Sequence, residues 1–201
     1  MNTQRLHTPQ WFSNSPNLML FGFVKMLDEL RCLTETIDVK TSTMIEIGSH
    51  MGESTMLFAS SNIFNKIYTI DPHTGAEGFN KTYGYSWDDI KKQFELNTRY
   101  FHNISLISDY SFNVVDRFDD NSIDFIYLDG AHDYESVKRD LQLYLPKLKD
   151  GGIIGGHDYN DTDWPETSKA IHDTIGIPDT TFEDSSWIKQ KSKKISQKRL
   201  V

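Results

Sequence analysis

The feature of this sequence that most constrains its fold is a regular alternation between short apolar segments and segments of helical periodicity. Five apolar segments are predicted strands, at residues 44–47, 66–70, 104–107, 123–128 and 152–156. Helices are predicted at 54–64, 87–96, 112–118, 134–144 and 167–175, and two final strands at 180–183 and 186–190. Strands that alternate with helices form βαβ units with right-handed crossovers, so we expect an α/β fold with a mostly parallel sheet.

The polar residues that could do chemistry lie where the predicted strands end. In a parallel sheet these ends meet at one edge, and ligands bind there in such folds. The strand ends carry Glu46 with Gly48, Asp71, Asp109, Asp129, and His157 with Asp158. We therefore expect the functional site at this edge.

Length and composition fit one domain in a reducing compartment. The 201 residues suit a single domain, 1–201, and 37% of them are hydrophobic, which is enough for a core. No apolar run approaches the ~20 residues of a membrane span, and the first residues lack the layout of a signal peptide. The single cysteine, Cys32, excludes an internal disulfide and a cysteine zinc site. We expect a cytoplasmic protein with no membrane partner.

Charge is divided unevenly along the chain. Residues 189–201 carry six basic and no acidic residues, whereas the other 188 residues hold 15 basic and 29 acidic ones. A body this acidic argues against nucleic acid as a partner. We expect 189–201 to be a basic, flexible tail in solvent, although it could touch nucleic acid or lipid. Residues 1–40, with a predicted helix at 18–30, are expected to form an N-terminal helical cap.

A glycine-containing turn follows the first predicted strand. Its sequence is Glu46-Ile47-Gly48-Ser49-His50-Met51-Gly52. Gly48 permits a tight turn with positive φ, and Gly52 would let the next helix pack close to a ligand. The dinucleotide fingerprint fails because Ser49 and His50 occupy the region of its second glycine, so a nicotinamide-dependent oxidoreductase is disfavoured. The glycine pair could also serve helix–strand packing alone.

Asp71 ends the second predicted strand, where a carboxylate can bind both hydroxyls of a ribose. The alternative is a turn or capping residue before Pro72. Together with the glycine turn, Asp71 favours ribose binding.

In its glycine turn and in Asp71, the sequence resembles the class I S-adenosylmethionine-dependent methyltransferases. These have an acid-x-Gly-x-x-x-Gly pattern after strand one and an acid at the end of strand two. The stretch Tyr127–Tyr134 and the later Gly156-His157-Asp158-Tyr159 narrow the resemblance to small-molecule O-methyltransferases. That branch includes macrocin-type sugar O-methyltransferases and, more distantly, catechol O-methyltransferase.

The resemblance implies a Rossmann-like, seven-stranded, mostly parallel sheet flanked by helices, with an antiparallel last strand. It also implies S-adenosylmethionine as cofactor. The implied cofactor-binding residues are Glu46, Gly48, Ser49, Gly52, Asp71, Asp109 near the adenine, and Asp129. For Asp109, a cap on the helix that begins near Ser111 is the alternative.

Asp129 and Asp158 are candidate metal ligands. The resemblance makes their strands neighbours, so the strand ends would lie ~4.8 Å apart, and carboxylates that close repel each other without a proton or cation. Oxygen ligands suit a hard cation such as Mg²⁺. Each Asp could instead only cap a turn. Tyr159 stands where catechol-type enzymes have an asparagine ligand, and Asn160, Asp161 and Asp133 are candidates for the missing oxygen.

Two histidines are candidate catalytic bases. His132 lies three residues after Asp129, the offset at which the catechol family places its general base. A neutral imidazole could take the proton of an acceptor hydroxyl, because its ordinary pKa near 6.5 suits that role. His157 competes as a base, ligand or substrate contact, and either histidine could be structural.

We therefore expect an O-methyltransferase that acts on a hydroxyl of a small molecule, such as a sugar-bearing metabolite, with Mg²⁺ assistance. The alternative is a non-catalytic S-adenosylmethionine-binding accessory or regulatory module. The aromatic and glycine-rich loop 72–87 is a candidate lid over the acceptor. The N-terminal helix is a candidate for the other wall of the acceptor site or for a homodimer contact.

Overall fold

A computed structural model of the chain describes residues 16–33, 41–74 and 84–193, with side chains in the first segment from residue 22. The helices are α1 Pro16–Leu33, α2 Glu53–Ser60, α3 Trp87–Thr98, α4 Ser111–Val114, α5 Tyr134–Tyr144 and α6 Pro165–Ile175. A 3₁₀ turn, Val115–Arg117, follows α4. The strands are β1 Thr43–Ile47, β2 Lys66–Ile70, β3 Ile104–Ile107, β4 Ile123–Leu128, β5 Leu148–Gly156, β6 Thr180–Thr181 and β7 Trp187–Gln190.

The seven strands form one sheet in the order β3-β2-β1-β4-β5-β7-β6. Strands β1 to β5 are parallel, and β7 runs antiparallel to both β5 and β6. Ile47 pairs with Ile70 and Leu128, and Leu128 pairs with Gly156, so the carboxyl ends of β2, β1, β4 and β5 are level. The predicted seven-stranded α/β sheet with antiparallel pairing at its end is confirmed.

Some predicted boundaries are wrong for local reasons. The helix predicted at 54–64 ends at Ser60, because the Ser61 hydroxyl donates to the Phe58 carbonyl and Asn62 adopts a positive φ of 57°. Strand β5 begins at Leu148 rather than 152, and β6 has two residues rather than four. The helix predicted at 112–118 is split into α4 and the 3₁₀ turn.

Hydrophobic cores lie on both faces of the sheet. On one face the isoleucines of β1, Ile45 and Ile47, pack with residues of α5 and α6 such as Leu141 and Ile171. On the other face the aromatic ring of Phe58 from α2 makes edge contacts with the rings of Phe125 and Tyr127 of β4. Fully burying such a side chain contributes roughly 1.5–3 kcal/mol. Two covered faces explain why the strands read as continuous apolar runs.

The structure describes part of the predicted N-terminal helical cap and part of the predicted basic tail. Helix α1 packs Phe23, Met26, Leu27 and Leu30 into the core on the α2 face, while residues 1–15 and 34–40 of the predicted cap lie outside the described residues. Lys189, the first residue of the predicted tail, belongs to β7, and the Lys191 ammonium donates to the Leu145 carbonyl. Residues 194–201, and 75–83 of the predicted lid, lie outside the description. None of the helices within it combines the length and apolar character that a bilayer crossing requires.

Candidate active site at the carboxyl edge of the sheet

The glycine turn is held by close backbone contacts. Gly48 has φ +85°, and a Cβ atom there would lie 2.1 Å from the Asp129 carbonyl oxygen. Only glycine can therefore bring the end of β1 this close to the end of β4. Gly52 caps α2 with φ +81°, and its missing Cβ would lie 2.8 Å from the Phe94 ring. In this structure the missing Cβ of Gly52 makes room for α3, and its proximity to a ligand stays a prediction.

Glu46 is fully buried below the turn. Its carboxyl oxygens accept hydrogen bonds from the hydroxyls of Ser54 and Thr55 at the start of α2. Burial raises the pKa of Glu46 to about 7, although these hydrogen bonds lower it. The side chain named as cofactor-binding thus joins β1 to α2 and does not reach the open edge.

Asp71 connects the glycine turn to β2. One carboxylate oxygen accepts from the backbone N–H groups of Ser49 and His50, at 2.9 and 2.8 Å. The other oxygen accepts from the backbone N–H of His73 at 2.7 Å. A carboxylate has about four acceptor positions, so Asp71 retains capacity for a ligand hydroxyl.

The residues around Asp71 have unusual conformations. His50 and His73 have positive φ values of 46° and 48°. The His73 Nε2–H group donates to the His50 carbonyl at 2.9 Å and so ties the two segments together. The buried Ser49 hydroxyl has no hydrogen-bond partner among the described residues. Strained backbone and an unsatisfied buried hydroxyl are features that concentrate at ligand sites.

Asp109 follows β3 and accepts hydrogen bonds from residues close to it in sequence. Its carboxylate accepts from the Tyr110 backbone N–H at 2.7 Å and from the Asn113 amide at 2.8 Å. The Asn113 and Tyr110 hydrogen bonds lower the pKa of Asp109. These contacts lie beside the start of α4, but the N-cap residue is Tyr110 and the helix has no side-chain capping hydrogen bond, so both roles given above stay predictions.

Four side chains converge where β4 and β5 end. His132 Nε2 lies 2.6 Å from one oxygen of Asp158, and His157 Nδ1 lies 3.0 Å from the other. Ligand atoms of Asp129, His132 and Asp158 all lie within 4.8 Å of one another. Asp158 has φ +60°, a left-handed conformation that aspartate tolerates better than most residues. We call these four residues the Asp-His cluster.

The charges of the Asp-His cluster perturb one another. Burial lowers the pKa of His157, but the hydrogen bond to Asp158 and the charge of Asp129 outweigh burial and raise it to about 9. For His132 the same balance of burial against Asp158 also raises the pKa. Burial raises the pKa of Asp158, but its bonds to both imidazoles hold it well below its ordinary range. Burial and the neighbouring Asp158 raise the pKa of Asp129.

This donor set fits a divalent cation. Two carboxylates and an imidazole at such spacing are metal ligands of ordinary type. The oxygens suggested above as further ligands are used locally or face solvent. Asp133 caps α5 by accepting from the Ser136 N–H, Asn160 accepts from the Thr162 N–H, and Asp161 is exposed. His132 is therefore the third candidate donor that the geometry offers.

Two residues near the cluster were missed by the sequence reasoning. Trp164, 41% exposed, lies over His132 with ring centroids 4.3 Å apart. Asp184 is buried in the β6–β7 turn, accepts from the Ser186 N–H and hydroxyl, and adds negative charge near Asp129 and His157. The α6 and β7 contacts that place them are tertiary, so neither residue has a local signal beyond being an acid or an aromatic in a turn.

The sequence is similar to a known protein family and to two curated proteins. Residues 45–159, more than half of the chain, match a family model described as a methyltransferase domain. An uncharacterized protein of Acanthamoeba polyphaga mimivirus is 27% identical over 154 residues, covering 73% of this chain and 65% of the relative. An uncharacterized protein of Sinorhizobium fredii is 26% identical over 121 residues, covering 57% of this chain and 13% of the relative. The matches thus span at most about two thirds of these curated relatives.

Solved structures share the fold at low sequence identity. A TDP-rhamnose 3′-O-methyltransferase of calicheamicin biosynthesis has a TM-score of 0.59 at 16% identity, covering 94% of this chain and 88% of that one. A caffeoyl-CoA O-methyltransferase described as putative, from Staphylococcus aureus, has a TM-score of 0.56 at 18% identity, with coverage of 89% and 92%. Spermidine synthase from Thermotoga maritima has a TM-score of 0.59 at 13% identity, with coverage of 87% and 61%. Because these enzymes differ in chemistry, the likeness establishes the fold alone.

Proposed function

This chain belongs to the family of methyltransferase domains, and we propose that it uses S-adenosylmethionine to methylate a hydroxyl group. The acceptor would be a small molecule, such as a sugar-bearing metabolite, and a divalent cation such as Mg²⁺ would assist the reaction. The observation that carries the proposal is the Asp-His cluster, in which ligand atoms of Asp129, His132 and Asp158 lie within 4.8 Å of one another. The cluster shares one sheet edge with the glycine turn and Asp71. The candidate metal ligands, the candidate base and the proposed cofactor-binding residues therefore lie at one edge of the sheet.

The glycine turn and its neighbours would hold the cofactor. Asp71 would accept the ribose hydroxyls, and Asp109 would lie towards the adenine. Gly48, Ser49 and Asp129 would contact the remainder of the molecule. The buried Ser49 hydroxyl without a partner among the described residues supports this role, because a cofactor group would satisfy it. Glu46 and Gly52 would act indirectly, by fixing the turn against α2 and α3.

Asp129 and Asp158 would hold the cation, and His132 would lie beside it. A bound divalent cation supplies positive charge that makes an acceptor hydroxyl easier to deprotonate. The two aspartates would also orient the acceptor oxygen towards the cofactor, which is the positioning that in-line methyl transfer requires.

His132 would take the proton of the acceptor hydroxyl. Its side chain is 34% exposed, against 16% for His157, so it is the imidazole that a substrate can approach. Donation from Nε2 to Asp158 leaves Nδ1 as the atom that accepts the proton, and Asp158 would stabilise the resulting imidazolium. His157, which lies deeper, would orient Asp158.

Calorimetry tests the cofactor assignment. S-adenosylhomocysteine should bind, and NAD should not bind comparably. Asp71→Asn should weaken S-adenosylhomocysteine binding about tenfold or more, because a hydrogen bond to a charged acceptor contributes about 1.5–3 kcal/mol. Unchanged affinity in that variant would contradict the ribose assignment. Cofactor binding without methyl transfer to any acceptor would favour the non-catalytic module.

Turnover of two histidine variants tests the base. His132→Ala should lose ~10²–10⁴-fold in turnover with little change in cofactor affinity. His132→Gln should not restore the rate, because an amide cannot accept the proton. His157→Ala is the matched comparison, since both imidazoles bind Asp158. If His157→Ala removes turnover while His132→Ala retains it, the base is His157 and His132 is left as a ligand.

A further inference from the structure

The turn that joins β6 to β7, residues 182–186, lies next to the Asp-His cluster, and we call it the β6–β7 turn. The Phe182 N–H donates to the Ser186 carbonyl at 2.9 Å, and the Ser185 N–H donates to the Phe182 carbonyl at 3.0 Å. Ser185 has a positive φ of 67°. Because β7 pairs with the last residues of β5, the turn lies beside the strand end that leads into the cluster.

A hydrogen bond joins the β6–β7 turn to the residue that follows Asp158. The Tyr159 N–H donates to the Ser185 carbonyl at 3.0 Å. On the other side of Asp158, the His157 N–H donates to the Leu128 carbonyl, also at 3.0 Å. Asp158 itself has a positive φ of 60° and contacts both imidazoles of the cluster. Its left-handed conformation is therefore held from two sides, by β4 before it and by the β6–β7 turn after it.

Asp184, at the centre of the β6–β7 turn, carries a buried carboxylate. It is 7% exposed, and its oxygens accept from the Ser186 N–H at 3.1 Å and from the Ser186 hydroxyl at 2.9 Å. Within the described segments, no lysine or arginine forms an ion pair with Asp184. A carboxylate that is buried without a cationic partner is costly to a fold, so its place beside the cluster requires a reason other than stability.

Helix α1 packs directly on Asp184 through Gly22. A Cβ atom at Gly22 would lie 2.6 Å from the carboxyl carbon of Asp184 and 2.7 Å from its backbone nitrogen. Because backbone as well as side chain is in the way, rotating the Asp184 side chain would not make room. Three residues further along the same face of α1, Lys25 forms an ion pair with Glu183. Helix α1 therefore contacts two successive acids of the β6–β7 turn.

We infer that the β6–β7 turn transmits the position of α1 to Asp158, with Gly22 and Asp184 as positioning residues for the proposed reaction. The inference rests on the proposed function and adds residues that act through Asp158. Displacing α1 moves Asp184, and the turn then withdraws the Ser185 carbonyl from the Tyr159 N–H. Asp158 loses the geometry in which it would hold a cation. Residues that orient metal ligands affect metal affinity by about 10–100-fold, so the effect is measurable.

Amide hydrogen exchange of the full chain tests the coupling without any ligand. The measured quantity is the exchange rate of the Tyr159 amide divided by that of the Asp179 amide, which donates to the Ile188 carbonyl of β7. This ratio should rise at least about tenfold in Gly22→Ala and should also rise in Asp184→Asn, since an amide cannot accept both Ser186 bonds. Leu30→Ala is the matched control, because it removes a fully buried side chain two turns further along α1. It should lower the urea midpoint and leave the ratio near that of wild type.

Mg²⁺ calorimetry of the chain saturated with S-adenosylhomocysteine measures the consequence for the site. Gly22→Ala and Asp184→Asn should each weaken Mg²⁺ binding about tenfold. Leu30→Ala and Glu183→Gln should leave Mg²⁺ binding near wild type, because Glu183 is an exposed acid of the same turn. All four variants should retain their S-adenosylhomocysteine affinity, since Asp71 and the glycine turn belong to β1 and β2, and this also shows that they have folded.

Failures of the two proposals are distinguishable. If wild-type protein binds neither S-adenosylhomocysteine nor Mg²⁺, the proposed function fails, whereas the exchange ratio still reports on the coupling. If the ratio or the Mg²⁺ affinity of Gly22→Ala equals that of wild type, the inference is overturned, and a weakened Asp184→Asn then reflects only the charge of Asp184. If Gly22→Ala does not fold, Asp184→Asn carries both measurements, because it adds no atom to the packing, and an unchanged exchange ratio in that variant overturns the inference.

Discussion

At the scale of single residues, the site uses groups that serve structure and chemistry together. Asp158 adopts a left-handed conformation, φ +60°, and each of its oxygens contacts a different imidazole. Asp71 accepts three backbone N–H groups and retains room for a ligand. Replacing such a residue changes the local fold as well as the chemistry, so conservative variants such as Asp→Asn are the informative ones.

Glu46→Gln should remove a pH dependence of stability between pH 4.5 and 7. Burial raises the pKa of Glu46 from 4.5 to about 7. The folded protein therefore holds a proton that the unfolded chain releases near pH 4.5. Its stabilising contribution is fully present below pH 4.5 and is lost as the pH rises through 7, a change of about 3 kcal/mol.

The measurement is urea unfolding of wild type and variant at pH 4.5, 6 and 8. The stability of Glu46→Gln relative to wild type should rise with pH by about 3 kcal/mol. Glu95→Gln on the exposed side of α3 is the matched control for exchanging a carboxylate for an amide. A constant difference between wild type and Glu46→Gln at all three pH values would show that the carboxyl group titrates alike in both states.

At the scale of elements, strand positions were predictable because buried parallel strands are short apolar runs bounded by polar residues. The strands at 66–70, 104–107 and 123–128 appear at the predicted residues. The end of α2 was not predictable, because Ile63 and Phe64 continue the apolar pattern as core residues beyond the helix. Gathering Asp129, His132, His157 and Asp158 at one edge followed from topology, whereas the contacts of both imidazoles with Asp158 depend on local loop conformations such as the positive φ of Asp158.

Gly48→Ala should lower the free energy of unfolding more than Gly84→Ala does, although both glycines have a similar positive φ. Gly48 and Gly84 both have positive φ, 85° and 73°. A Cβ at Gly48 would meet backbone at 2.1 Å, whereas at Gly84 it would meet no atom of the described residues within 4 Å. Gly84→Ala should cost about 1–2 kcal/mol from its left-handed conformation. Gly48→Ala should cost at least about 2 kcal/mol more, because the ends of β1 and β4 must separate.

Denaturant unfolding of both variants, with S-adenosylhomocysteine titrations alongside, measures this difference. The cofactor affinity of Gly48→Ala should fall by at least about tenfold and that of Gly84→Ala should stay near wild type, since only the first alters the proposed binding turn. Equal unfolding free energies for the two variants would mean that the turn relaxes without moving the end of β4.

At the scale of the whole molecule, folding brings the carboxylates of Asp129 and Asp158 together from the ends of two strands. A divalent cation that binds only the folded chain should therefore raise its melting temperature. At a hundredfold excess over its dissociation constant, Mg²⁺ should contribute about 2.7 kcal/mol. Differential scanning fluorimetry with Mg²⁺ and with EDTA measures the shift.

Asp129→Asn and Asp158→Asn should abolish the Mg²⁺ shift, because each removes a charged ligand. Asp120→Asn is the control, since Asp120 pairs with Lys147 away from the cluster. EDTA should also stop methyl transfer while S-adenosylhomocysteine still binds. Full activity in excess EDTA would assign this chain to metal-independent chemistry.

The position of β7 has a consequence for the order in which the molecule is completed during synthesis. Strand β5 leaves the ribosome before β7, yet its segment Ile153–Gly156 pairs with residues 187–190. Until those later residues emerge, one side of β5 presents unpaired backbone groups next to an apolar core, which is the kind of surface that aggregates or recruits chaperones. The sheet is therefore completed only after α6 and β6 have been made, although all four residues of the Asp-His cluster have been made by then.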